Sequence, residues 1–252
     1  MGWGSLLIFP ATPDNPLPAS PCAQGEEPRK TEPHVTSLIE QKQQQVETLM
    51  RLAPVIPVVI IDDAKAAVPM ARALVAGGIP TIEVTLRTSA ALEAIRAIAA
   101  EVEGAVVGCG TALTARDLQA ALQAGARFAV SPGTSPRLLD AADDSELPLL
   151  PGVATASEAM ALLERGYRHL KFFPAVPAGG TKLLGAWASP LPQIRFCPTG
   201  GISLSSAPDF LALPNVLCVG GSWLTPADKL AAGDWAGIEL LAREAAGLRL
   251  AD

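Results

Sequence analysis

The chain has 252 residues, is 49% hydrophobic and carries a formal net charge of −6 with only 17% charged residues. That length supports one barrel-sized core, and an acidic chain without basic clusters makes a poor nucleic-acid or anionic-membrane binder. Two histidines, His34 and His169, cannot assemble a histidine-rich zinc centre, and no apolar run approaches the roughly 20 residues that span a bilayer.

The opening Met1–Pro10 is briefly apolar but lacks the basic region and the length of a signal peptide. Residues 1–35 are rich in Pro without any period, and are read as a disordered extension ahead of a domain at 36–252. Ser37-Leu-Ile-Glu40 fits a capping box, and Leu38, Ile39, Val46, Leu49 and Met50 favour one side of the helix it opens. The Gln41–Gln45 stretch reads as that helix's solvated face. None of Cys22, Cys109, Cys197 and Cys218 forms a CxxC pair, and three lie in apolar runs, as expected of small buried hydrophobes in a reducing, cytoplasmic setting.

From residue 54 a pattern of β-rich segment, turn, Ala/Leu-rich helix and glycine repeats. Strands are predicted at Val55–Ile61, Thr81–Leu86, Ala105–Thr111, Arg127–Ser131, Leu147–Leu150, His169–Phe173, Gln193–Cys197 and Val216–Val219. Thr114-Ala-Arg-Asp117 and Thr155-Ala-Ser-Glu158 carry helix-start signals, and Gly77, Gly125 and Gly166 stand where left-handed residues end helices. Eight strands alternating with helices indicate parallel βαβ units. The strand count favours a (β/α)8 TIM barrel with an additional N-terminal helix. A doubly wound open sheet is the alternative, weakened because no nucleotide-binding glycine loop follows the first strand.

Side chains alternate along a strand. In Thr81-Ile-Glu-Val-Thr-Leu-Arg87, the residues Thr81, Glu83, Thr85 and Arg87 share one face. In His169-Leu-Lys-Phe-Phe-Pro-Ala175, Lys171 shares a face with His169 and Phe173. A solvated sheet face would explain such polarity, but a parallel sheet covered by helices has little of one. A buried ammonium must lose its proton or find a carboxylate, and Glu83 is the candidate partner. A salt bridge alone satisfies these residues too. So does an amine that attacks a ketone while a carboxylate moves the substrate's proton. Arg87 suits a substrate carboxylate or a surface ion pair. Thr111 and Pro132-Gly133 are either mouth residues or ordinary turns. His169 reads as structural, Gly179-Gly-Thr-Lys182 as a flexible loop before a helix at Leu183-Leu184 with Lys182 solvated, and Trp223 as packing. The turns Thr199-Gly-Gly201 and Gly220-Gly-Ser222 follow the last two strands, where barrels commonly bind phosphate.

Glu83-Val-Thr-Leu-Arg-Thr88, Gly108-Cys-Gly-Thr111, Ser131-Pro-Gly133, Lys171-Phe-Phe-Pro-Ala175, Phe196-Cys-Pro-Thr-Gly-Gly201 and Gly220-Gly-Ser-Trp223 together resemble the 2-keto-3-deoxy-6-phosphogluconate (KDPG) aldolase family over about residues 50–247. The resemblance implies a homotrimeric barrel and a class I aldolase of the Entner–Doudoroff pathway, with no cofactor and no metal. It implies cleavage of 2-dehydro-3-deoxy-6-phosphogluconate to pyruvate and glyceraldehyde 3-phosphate, and of 4-hydroxy-2-oxoglutarate to pyruvate and glyoxylate. By motif, Lys171 would form the Schiff base and Glu83 would act as general acid/base. Arg87 and Thr111 would hold the pyruvyl carboxylate, and Gly200, Gly201 and Ser222 the phosphate. Pro132, Phe173, Thr199, Gly220 and Gly221 complete the expected substrate-binding set. Cys109 stands where a smaller residue such as alanine is expected. The alternatives are the galactonate-derived epimer as substrate, a metal-dependent pyruvate aldolase with Glu83 as ligand, and a barrel that only binds a phosphorylated ligand.

Overall fold

The computed structural model describes residues 38–248. The extension at 1–35, the boundary at 35/36, Cys22, His34 and the Ser37 cap lie outside the described residues.

Helix α1 (Leu38–Met50) precedes an alternation of strands and helices. The strands are β1 (Val55–Val59), β2 (Thr81–Thr85), β3 (Val106–Gly110), β4 (Ala129–Val130), β5 (Leu149–Leu150), β6 (Gly152–Val153), β7 (His169–Phe172), β8 (Arg195–Pro198) and β9 (Val219–Gly221). Between and after them run α2 (Ala67–Ala76), α3 (Ala91–Glu101), α4 (Ala115–Gln123), α5 (Pro136–Asp144), α6 (Ala156–Glu164), α7 (Gly180–Trp187), α8 (Ala207–Leu211), α9 (Ala227–Ala232) and α10 (Trp235–Ala246).

The pairings are parallel and run β5-β4-β3-β2-β1-β9 and β6-β7-β8. Single bridges Phe196–Val216 and Thr199–Gly220 join the β8 and β9 sides. Segments β5 and β6 are two halves of one strand interrupted at Pro151. Counting them as one position, eight positions close the expected (β/α)8 barrel. Strand faces follow from alternation. Val55, Ile82, Val84, Val107, Cys109, Leu170, Phe172 and Phe196 pack outward against the helices. A smaller inner cluster of Ile56, Phe128, Val130, Leu150, Cys197 and Cys218 fills the barrel with Val46 and Met50 of α1. Burying each of those two α1 side chains contributes roughly 1.5–3 kcal/mol, so α1 serves as the barrel's floor.

The two sequence-predicted helix starts are full capping boxes: Thr114 with Asp117, and Thr155 with Glu158. Three expectations need correction. Gly77 is not left-handed: its φ is −77°, and the positive φ falls on Gly78 (91°). Gly77 is needed for close packing, because an added Cβ would run into Ala242 and come within 2.7 Å of the Glu239 carbonyl on α10. Gly179-Gly-Thr-Lys182 is not simply a loop, since α7 begins at Gly180. The Gln41–Gln45 stretch is not wholly a solvated face, because Lys42 and Gln43 are 4% and 5% exposed. Lys42 Nζ donates to the carbonyls of Ala142 (2.8 Å) and Asp143 (2.7 Å). A cation there satisfies orphan carbonyls at the end of α5 and complements its dipole. Periodicity scores such residues as polar and cannot see that their partners are backbone ends.

His169 sits buried on the floor, its Nε2 3.6 Å from Glu47. Burial pushes its pKa down to about 4, against the smaller opposing pull of Glu47.

Two stability measurements test this packing. Gly77→Ala should cost about 1–3 kcal/mol through overpacking against α10, and Gly78→Ala about 1–2 kcal/mol through left-handed strain. Urea denaturation would register both, and wild-type stability in Gly77→Ala would contradict the packing account. For His169 the unfolded chain binds the proton below its ordinary pKa of about 6.5, whereas the native state excludes it until about 4. Stability therefore falls on acidification across that window, by roughly 3 kcal/mol. The difference between wild type and His169→Gln should carry this slope, and parallel pH profiles would refute it.

Candidate active site

Strand β2 places Glu83 and β7 places Lys171. These strands stand opposite each other in the ring, and both side chains point inward. Lys171 Nζ lies 3.2 Å from Glu83 Oε1 and 3.4 Å from Oε2, with the two residues 4% and 3% exposed. Nζ also lies 5.4 Å from the centroid of the Phe173 ring, within cation–π range.

Room for the pair comes from β3. Gly108 and Gly110 alternate on its inner face. A Cβ at Gly110 would collide with Glu83 Oε1, and one at Gly108 would meet the Phe128 ring. Alternate glycines in a strand are a signal for close approach. Gly110 lay within a quoted motif, but sequence reasoning gave it no role. Thr85, next inward on β2, is fully buried and donates to the Val59 carbonyl at 2.9 Å.

The remaining candidates follow the C-terminal ends of their strands and so gather at one mouth. Arg87 is exposed beyond β2, and its Nε donates to Thr111 Oγ1 at 3.1 Å beyond β3. Thr111 has a φ of 60°, an outlying conformation for a β-branched residue. Half-buried Pro132 follows β4, and Ser131 Oγ beside it accepts from Gly152 N–H at 3.3 Å. Thr199 is buried at the end of β8, where its carbonyl accepts from Ala175 N–H at 2.7 Å. Gly200 and Gly201 then turn the chain with φ of 103° and 79°. Gly220 and Gly221 are buried in β9. An added Cβ at Gly220 would strike Thr199 Oγ1, and one at Gly221 the half-buried Trp223 ring. Ser222 is exposed just beyond.

Some singled-out residues lie elsewhere. His169 is at the opposite end of the barrel. Lys182 is exposed on α7. Cys109 faces the outer core, and its pKa is pushed up to about 12 by burial first and the Glu83 charge second, which keeps the thiol neutral. An open groove of about 1170 Å³ runs along α1, but neither Lys171 nor Glu83 lines it. Among the described residues, no group of three or more His, Cys, Asp or Glu is placed to hold a metal ion, and no helix is long and apolar enough to cross a membrane.

Residues 46–241 match the family described as "Aldolase: KDPG and KHG aldolase". The chain belongs to the KDPG and KHG aldolase family. Its relatives include the KHG/KDPG aldolase of Escherichia coli K12, 53% identical over 199 residues, covering 79% of this chain and 93% of that protein. The crystal structure of the KDPG aldolase of Zymomonas mobilis ZM4 with 3-phosphoglycerate has a TM-score of 0.80 and 50% identity, covering 83% of this chain and 98% of that one. The Legionella pneumophila KDPG aldolase, with pyruvate captured at low pH as a covalent carbinolamine intermediate, has a TM-score of 0.78 and 44% identity, covering 80% and 98%. Within this aldolase family fold, the Lys171–Glu83 pair and the strand-end residues occupy the mouth where barrel enzymes carry their chemistry.

Gly110→Ala tests the geometry of the pair. The methyl should drive the Glu83 carboxylate off Lys171 and lower turnover by about 10²-fold, the effect of a misplacement near 1 Å. Steady-state assay on the folded variant checks it, and unchanged turnover would show that the cradle is not needed.

Proposed function

We propose that the chain is a class I aldolase that cleaves 2-dehydro-3-deoxy-6-phosphogluconate to pyruvate and glyceraldehyde 3-phosphate, and also cleaves 4-hydroxy-2-oxoglutarate to pyruvate and glyoxylate. The observation that carries this reading is the buried amine–carboxylate pair, 3.2 Å apart inside the mouth. Binding an anion there would call for cations alone. A carboxylate beside the amine is what proton transfer requires.

Lys171 gives its proton to Glu83 and attacks the C2 ketone to form a carbinolamine; Glu83 returns that proton to the departing hydroxyl, which leaves as water, so that an iminium and a free carboxylate remain. Glu83, directly or through a water, takes the C4 hydroxyl proton. The C3–C4 bond breaks, its electron pair moves toward the iminium nitrogen to leave an enamine, and the aldehyde departs. The same carboxyl group returns a proton to C3. Water then adds to the iminium, and pyruvate leaves the regenerated amine. The relative with pyruvate held as a carbinolamine supports a covalent route.

Arg87, steadied by Thr111, binds the pyruvyl carboxylate, for which a planar guanidinium is suited. Thr199, Gly200, Gly201, Gly220, Gly221 and Ser222 form the phosphate end, and Pro132 and Phe173 line the space between. Glycine turns let backbone N–H groups approach phosphate oxygens. The reaction uses no cofactor or metal. Residues 36–252 form the catalytic unit, which assembles as a homotrimer in the cytoplasm.

Incubation with pyruvate and borohydride, followed by peptide mapping, should place one reduced pyruvyl adduct on Lys171. Lys171→Ala should lose the adduct and at least 10³-fold of turnover, on the order expected for a lost covalent nucleophile. Turnover should persist in chelator. Near-wild-type activity of Lys171→Ala, or loss of activity in chelator, would reject this reading.

A further inference from the structure

The barrel has a seam at its floor. Leu149–Leu150 pairs with β4, whereas Gly152–Val153 pairs with β7. Above the break at Pro151 the ladder is regular: Lys171 N–H donates to the Pro151 carbonyl at 2.9 Å and Phe173 N–H to that of Val153 at 3.0 Å. One step lower, the same register would send His169 N–H to the Leu149 carbonyl. It goes instead to a side chain. Gln43 Oε1 accepts from His169 N–H at 3.0 Å and from Arg168 N–H at 2.8 Å. His169 Nδ1 lies 3.3 Å from the same oxygen. The other edge of β7 is held by β8, with Arg195 N–H donating to the Arg168 carbonyl at 2.8 Å.

Gln43 is therefore a substitute strand carbonyl. Its neighbour Lys42 ties the same turn of α1 to the end of α5, so the acceptor is mounted on a fixed support. His169 and Lys171 share a face of β7, two residues apart at about 3.3 Å per residue. Where β7 starts sets how high Lys171 Nζ stands in the barrel, and hence its approach to Glu83.

We propose that Gln43 is a positioning residue for Lys171: its side-chain carbonyl closes the seam between β5 and β7 and fixes the height of the lysine against Glu83. The proposal rests on the reading of Lys171 as the Schiff-base nucleophile. It gives the floor helix, which lies outside the eight strand–helix units, a part in chemistry at the mouth.

The test compares two variants of the full chain. Gln43→Met keeps the length and removes the acceptor, whereas Gln43→Glu keeps an acceptor oxygen. Gln43→Met should lower kcat and the rate of borohydride-trapped pyruvate adduct formation by about 10-fold, less than the 10²-fold of a full 1 Å misplacement. KM should stay within about twofold, because the groups that hold the carboxylate and phosphate ends of the substrate stand on other strands and their uniform binding is untouched. Gln43→Glu should recover most of the lost kcat. Should Gln43→Met fail to fold by circular dichroism, Gln43→Asn withdraws the acceptor by one methylene and takes its place. Unchanged kcat with only a lowered unfolding midpoint, or equal kcat losses in the acceptor-free and acceptor-retaining variants, would make Gln43 merely structural and overturn the proposal. A wild-type protein that traps no pyruvate on Lys171 would instead overturn the functional reading beneath it.

Discussion

The site depends on one buried ion pair. Taking a lysine and a glutamate out of water costs several kcal/mol per ion after relaxation, and apolar side chains in their place are often as stable or more so. The barrel keeps Lys171 and Glu83 nonetheless, 3.2 Å apart and nearly inaccessible. Its other choices accommodate them. Gly108 and Gly110 strip β3 of side chains beside the carboxylate, and Phe173 offers the ammonium a ring face. The apolar plug of Ile56, Phe128, Val130 and Leu150 supports the pair inside the barrel, together with α1 below.

The buried pair was more legible in the sequence than the connections. Polar residues alternating on strands otherwise buried on both faces marked Glu83 and Lys171, because a covered parallel sheet leaves few other uses for them. Thr114 and Thr155 were legible because a capping box is local. Gly77 was misread, since a helix-ending glycine and a packing glycine look alike until the last helix is in place. The break in the fifth strand hinges on Pro151, a tertiary feature invisible to periodicity. Lys42 and Gln43 defeated the pattern for the same reason. Their partners are backbone groups of α5 and β7, about 100 and 125 positions away.

Thr111 shows how the rim is held. Among the described residues it alone is non-glycine with positive φ. Such a conformation costs of order 1–3 kcal/mol and persists where surroundings over-determine it. Here the hydroxyl is occupied by Arg87 Nε, so the turn and the guanidinium fix each other. A threonine in that turn contributes a polar contact that glycine, the easier fit, would lack.

The ring closes with its first and last strands. β1 pairs with β9 through Val55–Val219, Ile56–Gly220 and Pro57–Gly221, and α10 packs on Gly77 at the end of α2. On the ribosome, the outer edge of β1 therefore has no partner until residue 221 has been made. A hydrophobic strand with an open edge is a template for wrong pairing, and synthesis at about 5–20 residues per second leaves it open for many seconds. Biogenesis of this barrel is thus paced by its C-terminus. Until β9 is made, the nascent chain carries that edge unpaired, and the ring cannot close.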